Sequence, residues 1–394
     1  MSSPRRFLLV FLLPILALLP LGAVNVLFLD HSGELMAGRD VAAFQQEEPA
    51  LYGSALHDAV YQYKLALLAE RTPEVVVIGS SRVLGMNQSM FLVPFANLGR
   101  TVNYPAEAEK LAADLISTHK PGLVLFGLDP WWLNPRWTHA PDFRAHEKPG
   151  GTLSPAAIFA PMRWLADGRI DGALYGERLL DADPVLRDGV ALLGLQAIID
   201  GRGYRPDGSL FRGALVYGGR GADVAFADTL SRIAGDQAQF RFGDAIDQTR
   251  VEELRKTIAM LQDAGIAVVT YMPPVAPTVW AAMDVQPDRF AYLAAAREVF
   301  ATLGAPHLDA WDNATLAFDD CEFFDGFHHG ETIDLRLLLA LSEAGLLDTD
   351  SQVLVPDLET RLGAAAGTAL ENTDYAPAGQ VPLDFLGQGC GDPG

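Results

Sequence analysis

Cysteine is nearly absent. Only Cys321 and Cys390 occur in 394 residues, which excludes a disulfide framework and a Cys-rich zinc site. One bridge between the two is compatible with an oxidising compartment, but spacing alone does not test its geometry. Basic residues are scarce as well, 29 against 50 acidic, for a formal net charge of −21. Binding to nucleic acid needs clustered Lys and Arg, so that partner class is excluded, and adhesion to an anionic membrane surface is disfavoured. Long apolar runs are lacking except for one, so the chain is not a polytopic transporter. No internal repeat occurs. Hydrophobic residues make up 49% and charged residues 20%, enough to build a sizeable core.

The single long run is Phe7 to Leu29, free of charge and long enough to span a bilayer core of about 30 Å. Arg5 and Arg6 precede it, while Asp30 and Glu34 follow, so residues 1–6 are expected in the cytoplasm and the remainder outside. A cleaved signal peptide is the rival reading. Its apolar region is usually shorter, and Leu21-Gly22-Ala23 is a poor cleavage site. The length favours a retained single-pass anchor in the inner membrane over 7–29, with an extracytoplasmic or periplasmic body. Residues 30–72 then read as a juxtamembrane connection containing a helix around Tyr61, Leu65 and Leu68.

Within the body, Glu74-Val-Val-Val-Ile78, Leu123-Val-Leu-Phe126, Ile266–Tyr271 and His307-Leu308-Asp309 read as strands. Apolar runs without alternation are what strands of a parallel sheet look like when both faces are buried. Helices are expected over 105–119, 250–264, 288–303 and 331–344, from apolar residues at helical spacing. Strands separated by helices predict a three-layer α/β fold over 73–345. Residues 134–240 are rich in Gly, Pro, Asp and aromatics and read as a cap inserted over the active-site edge. The tail 346–394 is expected to be loosely held.

Catalytic groups of parallel sheets collect at the carboxyl ends of strands. Gly79-Ser80-Ser81-Arg82 follows the first strand. A hydroxyl in such a turn is a candidate nucleophile, but the same residues also suit a Ser-rich turn or a phosphate cradle. Asp325-Gly-Phe-His328-His329-Gly330 precedes the last helix. There an Asp can orient a His that deprotonates a hydroxyl. The alternatives are a metal site, which would make the chain a metal-dependent phosphoesterase, or a surface His pair. Adjacent His328 and His329 are expected to point different ways. His57, His139 and His146 have no spacing that demands a ligand role.

Strand-Gly-x-Ser early and Asp-x-x-His late resemble the SGNH hydrolase superfamily, also called GDSL-like. That resemblance implies a flavodoxin-like three-layer sheet, Ser81 as nucleophile, His328 as general base and Asp325 as its orienting partner. Asn97-Leu98-Gly99 resembles the block whose Gly supplies an oxyanion N–H, which would be Gly99 beside the amide of Ser81. The Gly-Ser-Ser form resembles the branch of the teichoic-acid D-alanine-transfer and alginate-type O-acetylation proteins, many of which carry one membrane anchor. It implies an O-acyltransferase or esterase acting on an envelope or secreted polysaccharide, with no cofactor or metal. A multi-spanning membrane acyltransferase is the implied partner. The third block departs from the family, reading Gly127-Leu128-Asp129-Pro130 where Asn is usual. An ionised Asp129 cannot donate to an oxyanion, so Asn134 is a substitute candidate. With a disabled oxyanion hole the chain would instead be a glycan-binding or scaffolding module. Trp131, Trp132 and Trp137 suit stacking on sugar rings or packing between cap and core, and Arg82 suits an acidic sugar or a salt bridge.

Overall fold

A computed structural model describes residues 4–56, 60–143, 153–348 and 351–390, with side chains described from residue 18 onward. His57, His146, Arg5, Arg6 and the first half of the expected anchor therefore fall outside the described side chains. A helix runs over Pro4–His31. Among the described residues no helix is long and apolar enough to cross a membrane. The end of the helix belongs to the folded body. Phe28 and Leu29 are fully buried, and the Phe28 ring lies 4.7 Å from that of Tyr175. Phe28 and Leu29, the last two residues of the expected span 7–29, thus pack on protein, while Leu27 is exposed.

Five parallel strands form the central sheet: β2 (Val75–Gly79), β3 (Phe95–Gly99), β4 (Leu123–Gly127), β9 (Ala267–Met272) and β10 (His307–Asp309). Every residue of β2, β3 and β4 is buried, as their apolar runs require. Their order is β10-β9-β4-β2-β3. The chain therefore reverses its direction of growth at β2, and the crevice beyond the carboxyl end of that strand is where doubly wound sheets place ligands. In-register pairing of Gly79 with Gly99 and of Ile78 with Phe126 brings these strand ends together. The helices Val60–Arg71, Pro105–Thr118 and Gln248–Asp263 pack side by side.

β3 is missing from the strands expected by sequence. Asn97 interrupts its apolar run, and that side chain is satisfied internally, donating to the carbonyls of Val83 and Met86 at 2.8 Å each. A polar residue is tolerated in the core when its hydrogen bonds are made.

The region 134–240 contributes a second sheet rather than a simple cap. It holds β5 (Val185–Arg187), β6 (Val190–Leu193), β7 (Arg202–Tyr204) and β8 (Leu210–Arg212). A strand from outside the region, β1 (Ala50–Tyr52), sits in the middle, parallel to β6 and antiparallel to β7. Residues 30–72 are therefore built into the body instead of forming a connection. The buried Glu34 carboxylate fixes them, accepting from the Ser54 hydroxyl and the amides of Ala55, Leu56 and Leu195.

The tail is also anchored. It carries the helix Val355–Ala365, buries Val353, Leu358 and Leu386, and is bonded through Cys390 to Cys321.

Candidate functional site

The site forms at the carboxyl end of β2. Gly79 has φ +148°, and a Cβ there would stand 3.0 Å from the Gly127 carbonyl oxygen, so glycine is required for the chain to leave the sheet. Ser80 caps the turn that follows by accepting from the Arg82 amide. Ser81 is the first residue of the resulting 3-10 turn, so its own N–H has no partner within that turn.

The three residues from the two distant clusters meet. Ser81 Oγ lies 2.8 Å from His328 Nε2. On the other side of the ring, His328 Nδ1 lies 2.7 Å from Asp325 Oδ2. The other carboxylate oxygen of Asp325 accepts from the amides of Phe327 and His328 at 3.0 and 2.8 Å. With Nδ1 donating to Asp325, Nε2 is left to accept from the serine hydroxyl. Burial lowers the His328 pKa more strongly than Asp325 raises it, and Arg212 and Arg82 lower it further. The Asp325 carboxyl is raised by burial but held well below the usual carboxylate range by His328, the Phe327 amide and Arg212. At neutral pH the pair is a carboxylate and a neutral imidazole, the state a general base needs.

His329 points the opposite way, as expected, and its Nε2 lies 2.9 Å from Asp334 Oδ1 in a fully buried pair. Among the described residues no three His, Cys, Asp or Glu side chains form a metal-binding group.

Several expected site residues have other tasks. Arg82 does not face substrate. It is buried, donates to the carbonyls of Phe327, Pro273 and Pro274, and pairs with Asp129 Oδ1 at 2.9 Å. Asp129, at the position expected to hold an oxyanion donor, is thus the counter-ion of Arg82. Burial pushes its carboxyl up, while the charge of Arg82 and a Ser80 hydrogen bond act against this. Trp131 and Trp132 are also buried and present no face to a sugar. Trp131 packs over the Arg82 guanidinium at 4.9 Å and edge-on to Phe327. Gly99 directs its N–H to Asn97 Oδ1 at 2.8 Å. Asn134 is fully buried, donates to the carbonyls of Arg241 and Phe242, and accepts from the Arg136 amide. Of the proposed oxyanion donors, only the Ser81 amide is left uncommitted. His139 stacks on Trp137.

The sequence reading missed Arg212. This residue ends β8, places its Cζ 5.0 Å above the Phe324 ring, and acts electrostatically on both Asp325 and His328. No motif marks it, because the hairpin that carries it reaches the site only through the second sheet. The inserted region also touches the His turn at Gly326, where a Cβ would collide with Thr229, and at Phe327, 5.9 Å from Phe240.

Comparison of the chain with protein-family models, curated proteins and solved structures finds no match.

Proposed function

We propose that the chain is a serine acyl esterase or O-acyltransferase of the SGNH type. The observation that carries this reading is the unbroken relay from Asp325 Oδ2 to His328 Nδ1 and from Nε2 to Ser81 Oγ, at 2.7 and 2.8 Å. His328 takes the hydroxyl proton as Ser81 attacks an acyl carbonyl, Asp325 stabilises the imidazolium, and a serine ester forms. His328 then returns the proton to the leaving group. A sugar hydroxyl or water, deprotonated by the same ring, accepts the acyl group and releases Ser81. The Ser81 amide stabilises the tetrahedral oxyanion.

The substrate proposed is a cell-envelope or secreted polysaccharide, as acyl acceptor for a transferase or as acyl ester for an esterase. The charge-free run after Arg5 and Arg6 supports a membrane anchor with the body on the far side of the inner membrane. A multi-spanning membrane acyltransferase would supply acyl groups to such an enzyme.

A fluorophosphonate probe tests the chemistry. Labelling of the wild type that disappears in Ser81→Ala supports the enzyme. An unlabelled wild type that hydrolyses no acetyl ester rejects it. That result would favour a second reading, a glycan-binding or scaffolding module, which draws on the commitment of Gly99, Asp129 and Asn134 to other partners.

A further inference from the structure

Most of the arginines in this acidic chain are spoken for. Arg82, Arg205, Arg336 and Arg361 each hold a carboxylate within 3 Å. Arg202 and Arg212 differ. They face each other directly across the antiparallel β7–β8 pair, a placement of like charges that weakens a sheet. Among the described residues neither makes an ion pair or a side-chain hydrogen bond. Arg212 is instead oriented by stacking on Phe324, which leaves the N–H edges of its guanidinium unused. Arg100, bonded to the Tyr204 hydroxyl at 3.1 Å, also acts electrostatically on Arg212. Burial and the two neighbouring arginines lower the Arg212 pKa to about 10, so it remains a cation at neutral pH.

We propose that Arg202 and Arg212 form an anion subsite beside the Ser81–His328 pair, which binds a carboxylate or phosphate carried by the substrate. Arg212 stacks on Phe324, the residue before Asp325, and Arg202, Arg212, Asp325, His328 and Ser81 are all partly exposed, which is the geometry that sets the subsite beside the pair. Repulsion between the two guanidinium groups makes the empty subsite unfavourable, and an anion between them removes that repulsion. Two planar donor forks match an oxyanion better than a neutral hydroxyl. In a chain of net charge −21 such a subsite is also what allows an anionic substrate to approach. The position of the reacting ester rests on the acyl-transfer reading; the anion site does not.

Binding to the full chain carrying Ser81→Ala tests the site without turnover. Trigalacturonate, inorganic phosphate and neutral maltotriose are compared by calorimetry. Trigalacturonate or phosphate is expected to bind at least about tenfold more tightly than maltotriose, with an advantage that shrinks as salt rises. The tighter of the two anions identifies the group. In Arg202→Met/Arg212→Met the advantage disappears, and in Arg212→Met alone, which keeps one charge, it falls part of the way. Equal binding of charged and neutral probes overturns the proposal, as does an advantage that survives the double substitution. Anion binding through these arginines in a chain whose Ser81 ignores fluorophosphonate would keep this inference and end the acyl-transfer reading.

Discussion

Arg82 Nε donates to the Phe327 carbonyl oxygen at 2.8 Å, so the residue after Ser81 is bonded to the residue before His328. The same guanidinium reaches Asp129 after β4 and the carbonyls of Pro273 and Pro274 after β9. One buried side chain therefore ties together the three strand ends and the His turn that make the site.

Removing that tie strands the Asp129 charge in the core. Arg82→Met is expected to cost about 3–5 kcal/mol in urea unfolding, as breaking buried ion pairs does. Arg82→Met with Asp129→Leu should recover a large part of the loss, because no lone charge remains. A single variant as stable as wild type would show that the pair is not what holds the strand ends.

The pH profile follows from the state of His328. A base must be neutral, so kcat/KM on an acetyl ester is expected to rise with pH as the ring loses its proton. Burial lowers that pKa beyond what Asp325 restores, so the midpoint should fall below the ordinary value of about 6.5. Arg212 disfavours the protonated ring, so Arg212→Met should move the limb to higher pH. A shift to lower pH would contradict this placement of Arg212.

Cys321 precedes the His turn and Cys390 lies near the end of the chain, a separation of 69 residues. Opening their bond frees a long loop in the unfolded state, and Cys321→Ala/Cys390→Ala is expected to lose roughly 2–4 kcal/mol. Limited proteolysis should then cut within 366–390 first. Protection unchanged after reduction would mean that the non-covalent contacts of the tail, such as buried Leu386 and the Leu383 amide on the Val216 carbonyl, suffice to hold it.

Gly79→Ala forces a Cβ against the Gly127 carbonyl at a φ that L-residues avoid. A cost of roughly 1–3 kcal/mol is expected, with loss of fluorophosphonate labelling before loss of the fold. Circular dichroism and labelling of the same sample separate the two effects. Full labelling in this variant would show that the turn tolerates the strain.

Much of this molecule is legible in short stretches of sequence. β2, β4 and β9 appear as apolar runs because both faces of a central parallel strand are buried, and the Asp325–His328 contact spans only three residues. β3 was hidden because Asn97 reads as a loop residue until its two carbonyl partners are known. β1 is hidden because its partners come far later in the chain, Ala191 of β6 opposite Ala50 and Tyr204 of β7 opposite Tyr52.

Local pattern thus determined which segments are strands and which residues carry reactive groups, since propensity and burial period act over a few residues. Only the tertiary structure decided the rest. It set Ser81 against His328 across 247 residues. It turned Arg82 and Asp129 into a buried pair, packed Trp131 on that pair, and brought Arg212 to the site on a hairpin from another sheet. Burial and choice of partner are properties of non-local contacts, and residue type alone does not specify them.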